Sequence, residues 1–244
     1  MKYLFLILFL VGCASDSQEG RTQAEKLFKE AEELVEAERY ILATEKLNEI
    51  KTQHPYSFYA TPAELLQADV LFKQENYIEA AAAYLLFRDF HPRHEKIPYV
   101  ITRIAESYYK QIPDTIDRDL DAALESIKYY EEILQKYPDS SYRKTAEKRI
   151  KDAKRMLREK DLYIADFYFK TKKFKAARYW YLDILANHKD AKTREHAKSR
   201  TILATYELKE WKTCLDFVEK FYQNVEKEAP KAINSVKDKC KSKI

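Results

Sequence analysis

The chain has 244 residues, enough for one large domain or two small ones, and its 44 basic against 40 acidic residues leave charge abundant but nearly balanced. That balance excludes the concentrated basic face of a nucleic-acid binder. Only two glycines occur, Gly12 and Gly20, which excludes Gly-rich nucleotide loops and nucleophile elbows and favours helices joined by tight, proline-marked turns.

The N-terminus reads Met1-Lys2, then an apolar run from Tyr3 to Val11, then Gly12-Cys13. The run is about half the roughly 20 residues that a spanning helix needs, so it reads as the core of an export signal. Leu10-Val11-Gly12-Cys13 resembles the lipobox of bacterial lipoproteins. That resemblance implies cleavage before Cys13 and lipidation of Cys13; the other reading is an ordinary secretory signal with a chance cysteine. Ala14 rather than Asp follows the cysteine, which by the enterobacterial sorting pattern implies delivery to the outer membrane. No second long apolar stretch follows, so the remainder reads as a soluble body on a lipid tether.

Internal repeats come next. Tyr40-Ile41-Leu42-Ala43, Tyr77-Ile78-Glu79-Ala80, Phe174-Lys175-Ala176-Ala177 and Trp211-Lys212-Thr213-Cys214 each open a helix with an aromatic and place a small residue three positions later. A large apolar residue follows four further on, at Leu47, Tyr84, Tyr181 and Val218. The small residue lets two helices approach and the large one fills the groove beside it. Ser126 and Tyr130, with Ala123, occupy the same slots in a weaker third copy. The spacing is 37 residues from Ala43 to Ala80 and again from Ala177 to Cys214. Prolines close the first three of these helices, at His54-Pro55, His91-Pro92 and Tyr137-Pro138. Ala68 with Leu71, and Ala165 with Tyr168, fit the preceding helix of each pair. The pattern resembles tetratricopeptide repeats, whose period is about 34.

The longer middle spacings have visible causes. Residues 111–119 form an insertion in the third repeat, and a charged segment from about Ser140 to Lys160 follows it. In that segment Ala146, Ile150, Ala153 and Leu157 mark an amphipathic helix with a solvated charged face. Cys214 and Cys240 can pair in an oxidising periplasm. Because Cys214 falls in a small-residue packing slot, the expectation is a buried Cys214 and a loose Cys240.

The order lipobox, five helical repeats, insertion in the third resembles the BamD (ComL, YfiO-type) family of outer-membrane assembly lipoproteins. The carrying segments are His91-Pro92-Arg93-His94 with Tyr99-Val100, Asp117-Arg118-Asp119 with Ala122-Ala123, and Lys136-Tyr137-Pro138-Asp139-Ser140-Ser141-Tyr142. The resemblance covers about residues 13–225, and the Lys-rich tail after Pro230 has no counterpart in it. It implies an all-α, right-handed superhelix of about five tetratricopeptide-like hairpins. It also implies a scaffold on the periplasmic face of the outer membrane, held there by its lipid. Its implied partners are the POTRA domains of a BamA-like insertase, accessory Bam lipoproteins and unfolded outer-membrane proteins. The runner-up is another periplasmic repeat lipoprotein, a pilotin for secretin assembly or a coordinator of peptidoglycan synthesis.

The expected division is 1–12 signal, 13–22 lipidated linker, 23–139 repeats one to three, 140–225 bridging helix and repeats four and five, and 226–244 Lys-rich tail. Among the aromatic and basic residues of repeats one to three, Tyr59, Tyr99 and Arg103 are the candidate peptide contacts, with ordinary packing as the alternative for each tyrosine. In the second half, Lys192-Thr193-Arg194-Glu195 resembles the family's entry to the fifth repeat. It makes Arg194 the first candidate for the insertase, with Lys198 and Arg200 as neighbours; a solvated helix face is the alternative. On this reading Arg194→Glu weakens insertase binding and leaves the fold intact. No catalytic residue, cofactor or metal is expected. His91-x-x-His94 can in principle ligate, but Pro92 lies between them and no carboxylate or Cys is obviously paired with them.

Overall fold

The structure is a computed structural model that describes residues 15–222 and 229–244, with side chains from residue 22 onward. The export signal and Cys13 lie outside the described residues. Every regular element among the described residues is a helix. In chain order these are α1 (Ser15–Glu36), α2 (Tyr40–Gln53), α3 (Ala60–Lys73), α4 (Tyr77–Phe90), α5 (Ile97–Lys110), α6 (Asp121–Lys136), α7 (Arg143–Lys170), α8 (Phe174–Asn187), α9 (Ala191–Glu207), α10 (Trp211–Phe221) and α11 (Lys231–Lys241). The repeat aromatics Tyr40, Tyr77, Phe174 and Trp211 each start a helix, as their spacing predicts.

The helices form two compact units. One comprises the chain to Ile112 with Asp121–Ala153; the other comprises Pro113–Leu120 with Lys154–Ile244. The boundary falls inside α7, later than the division at 139/140 expected from sequence. α7 is one continuous helix that lends Ala146 to a core of the first unit and Ala165 to a core of the second. α1 likewise begins at Ser15, inside the stretch read as a linker.

Close approach at the small residue holds each pair together. Ala43, Ala80, Ser126, Ala177 and Cys214 have no exposed surface, and neither do their partners Leu47, Tyr84, Tyr130, Tyr181 and Val218. Packing of this kind is worth about 1.5–3 kcal/mol for each fully buried large apolar side chain.

The turns inside four hairpins share one geometry that the scarcity of glycine conceals. Glu38, Glu75, Lys172 and Lys209 stand two residues before the repeat aromatic and take φ of 57°, 63°, 58° and 59°. Around Glu38, its N–H donates to Val35 O and Arg39 N–H to Leu34 O, and the other three turns repeat this pair of bonds. This is the helix-ending motif that usually places glycine in the left-handed position. Here a non-glycine residue carries a cost of about 1–2 kcal/mol, part of which glycine would return as chain entropy. Glu75→Gly is therefore expected to stabilise the first unit by about 0.5–1 kcal/mol; an unchanged or lower urea midpoint would refute this.

The C-terminal tail differs from the expectation. It is not loose: α11 packs on α9 and α10, and buries Ile233, Val236 and Cys240 against Ile202, Val218 and Tyr222. Cys214 and Cys240 form a disulfide, with Cα atoms 6.5 Å apart. Lysine content hid the helix, because its three buried positions are spaced by three and four residues among exposed lysines. Cys214 does occupy the small-residue slot, but the same slot faces α11.

Candidate functional site

A hydrogen-bonded cluster lies between α3, α4 and α5. The sharing of one carboxylate organises it: Tyr84 and Tyr99 both donate their hydroxyls to Asp69 Oδ1, each at 2.5 Å. Arg103, one turn beyond Tyr99, donates Nε to the Tyr84 hydroxyl at 3.2 Å and stands 3.9 Å from Asp69. Its guanidinium lies over the Phe72 ring at 3.6 Å. Burial, and then the Asp69 charge, push the Tyr84 and Tyr99 hydroxyls well above the usual phenol range, so both remain donors.

The same construction recurs 97 residues later. Asp166, Phe169, Tyr181, His196 and Arg200 replace Asp69, Phe72, Tyr84, Tyr99 and Arg103, each at the same offset. Tyr181 donates to Asp166 at 2.5 Å, His196 Nε2 is 2.8 Å from the same oxygen, and Arg200 lies over the Phe169 ring at 4.6 Å. A third copy sits between α5, α6 and α7. There Tyr130 donates to Glu106, Arg149 grips Glu106 with Nη2 at 2.6 Å and Nε at 3.2 Å, and the guanidinium covers Tyr109 at 4.1 Å. Each copy therefore ties a hairpin to the first helix of the next through an acid, an aromatic, a tyrosine and an arginine. The two-pronged Arg149 contact is the strongest type of charge-assisted bond.

Burial works against ionisation of Asp166, but the hydrogen bonds from Tyr181 and His196 outweigh it and hold the carboxyl below the usual aspartate range. A carboxylate depressed in this way contributes stability above its unfolded pKa and loses it as pH falls through the folded value. Acid titration of the wild type is therefore expected to destabilise the second unit more steeply than titration of Asp166→Asn. Tryptophan emission reports this directly, since both tryptophans, Trp180 and Trp211, belong to that unit. Parallel titration curves would refute the assignment.

Of the residues singled out from sequence, Tyr99 and Arg103 are brought together in the first cluster. Tyr59 is not with them: it stands at the N-cap of α3, half-buried, with its ring 5.5 Å from Phe28 and 5.4 Å from Phe58. Arg200 belongs to the matching cluster of the second unit. Lys198 stands 3.7 Å from Glu195 and 5.2 Å from the centre of the Tyr222 ring. Tyr222 in turn donates to Glu195 at 2.5 Å, and burial followed by that bond pushes its hydroxyl up to about 12. Arg194 donates to the carbonyls of Leu185 and His188, closing the end of α8. Reversal of its charge would therefore disturb the fold as well as any binding, contrary to the sequence-based expectation. Sequence reasoning missed Asp69, Glu106, Arg149 and Asp166. A signal existed, since Tyr84 and Tyr181 each follow an aspartate by 15 positions. Among the described residues, no group of three or more His, Cys, Asp or Glu side chains is placed to hold a metal ion.

Consecutive helical hairpins locked by repeated polar clusters define a repeat scaffold, a class that presents extended surface to other macromolecules. A family model described as an outer membrane lipoprotein, YfiO, matches residues 21–220. The outer membrane protein assembly factor BamD of Rickettsia prowazekii is 30% identical over 187 residues, covering 76% of this chain and 74% of that protein. The BamD of Vibrio cholerae is 26% identical over 192 residues, covering 72% and 80%. That of Neisseria gonorrhoeae is 26% identical over 162 residues, covering 63% and 61%. The chain belongs to the YfiO family of outer membrane lipoproteins.

Proposed function

We propose that this chain is a non-catalytic scaffold of outer-membrane protein assembly, lipidated at Cys13 and held at the periplasmic face of the outer membrane. The observation that carries this reading is the family match over residues 21–220, together with relatives named as assembly factors. The Cys214–Cys240 disulfide supports it independently, because such bonds persist in oxidising compartments outside the cytoplasm.

The partners proposed are the periplasmic domains of a barrel-shaped insertase, accessory lipoproteins and unfolded outer-membrane proteins. The insertase contact is assigned to α9, at Arg194, Lys198 and Arg200. Substrate peptides are assigned to the first unit near Tyr59, Tyr99 and Arg103. Arg103 retains 23% side-chain exposure, which leaves an edge of its guanidinium for a passing carboxylate or backbone carbonyl.

The test is a gentle-detergent pull-down of the tagged chain from native envelopes, read by mass spectrometry. Recovery of an outer-membrane barrel with periplasmic repeat domains supports the reading. Recovery of a secretin or of peptidoglycan-synthesis factors without that barrel overturns it. Arg194→Glu is then compared with wild type for insertase binding and for unfolding of the second unit. Unchanged binding removes Arg194 from the interface. Weakened binding supports the assignment only where the unfolding midpoint is unaltered, because of the contacts with Leu185 and His188.

A further inference from the structure

The first unit has two opposite edges. The turns at Glu38 and Glu75 lie within hairpins, on one edge. The turns between hairpins lie on the other, together with Phe28 of α1. Contacts establish this placement: the Phe28 ring of α1 meets Tyr59, His91 at the end of α4 is 2.8 Å from Glu64 at the start of α3, and Tyr142 stands 6.4 Å from Tyr99.

The turn between α2 and α3 is unlike the rest of the surface. Residues 52–63 contain no charged side chain, in a chain whose residues are 34% charged. Yet the turn is open: Tyr56 is 100% exposed and Phe58 72%, and Phe90 on the neighbouring turn is 75% exposed. Its polar groups are also incomplete. His91 and His188, which end the equivalent helices, pair with Glu64 and Asp161, whereas His54 Nε2 is buried without a partner, as is Ser57 Oγ. The position one repeat before Glu64 is Leu27, so the acid is missing. Ile41 and Ile78, 73% and 70% exposed, lie beside the opposite turns, but the exposed aromatic rings of this unit gather on this edge and mark a contact surface. Tyrosine and phenylalanine rings suit the headgroup level of a bilayer.

The chain itself restricts what lies opposite this edge. Cys13 precedes α1 by two residues and Ala24, the first buried side chain among the described residues, by 11. Those 11 residues span about 16 Å as helix and at most about 40 Å fully extended. A bilayer holding the acyl chains of Cys13 is therefore always near, and a tether makes weak contacts effective by raising local concentration.

We propose that this edge of the first unit rests on the phospholipid bilayer, with Tyr56, Phe58 and Phe90 seated in its interface. The proposal rests on the lipidation of Cys13 given above. It adds an orientation: the first unit stands on its between-hairpin turns, and the Glu38 and Glu75 turns face away from the membrane.

The test uses the lipidated mature chain in vesicles of phosphatidylethanolamine and phosphatidylglycerol. Single cysteines are introduced as Tyr56→Cys, Phe58→Cys and Phe90→Cys, with Glu38→Cys and Glu75→Cys on the opposite edge. Each is labelled with an environment-sensitive fluorophore and challenged with spin-labelled lipid. A blue shift and loss of emission at 56, 58 and 90, absent at 38 and 75, is expected. An equal response on both edges overturns the proposal. So does shielding of 56 and 58 that appears only after envelope proteins are added, which would assign the turn to a protein partner. Failure of lipidation is read separately, as absence of the acyl mass. The chain is then held at position 13 by a histidine tag on a chelating lipid, and the same edge pattern is expected.

Discussion

Asp69→Ala is expected to cost the first unit about 3–5 kcal/mol, because it leaves a partly buried arginine without its acid. Two tyrosine hydroxyls and Arg103 converge on this carboxylate, whose side chain is only 20% exposed. Its loss orphans the Tyr84 and Tyr99 donors at once, and each unsatisfied buried donor costs about 1–3 kcal/mol. These terms overlap and do not add. Asp69→Asn keeps an acceptor and should cost clearly less. Since both tryptophans lie in the second unit, the loss appears in urea titration by far-ultraviolet circular dichroism, with tryptophan emission little changed. Equal midpoints for the Ala and Asn variants would show that the carboxylate is not the keystone of the cluster.

Removal of the Cys214–Cys240 disulfide should have a comparable effect on the second unit. The bond closes a loop with a sequence separation of 26, and the chain-entropy relation assigns such a loop about 3–4 kcal/mol. α11 is short, at 11 residues, and an isolated helix of that length is marginal in water. Its docking through Ile233 and Val236 therefore depends on the covalent tie. Reduction, or the pair Cys214→Ala and Cys240→Ala, is expected to lower the unfolding midpoint seen by tryptophan emission and to expose the tail to protease. A reduced protein with an unchanged midpoint would mean that burial alone holds α11.

The hairpins were readable because their signal is local: an aromatic, a small residue three positions on and a large one four beyond fall on one helical face. The second-helix starts at Tyr40, Tyr77, Phe174 and Trp211 follow from that pattern. The turns before them were not readable, because glycine normally announces a left-handed residue and here Glu38, Glu75, Lys172 and Lys209 take its place. A charged residue in a turn carries no sign of its φ.

By itself, then, the chain's order of residues determined the all-α class, the hairpin register, the buried small-and-large pairs and the family resemblance, since each depends on contacts between residues close in sequence. Only the tertiary structure decided that Tyr99 and Arg103 share Asp69 with Tyr84, that the same constellation returns around Asp166, that α7 belongs to both units, and that the Lys-rich tail is a disulfide-linked helix. Those facts join residues 15 to 34 positions apart, and in that range spacing alone does not say which acid meets which donor. The choice is made by packing, which brings three helices together and leaves one carboxylate for several buried donors to share.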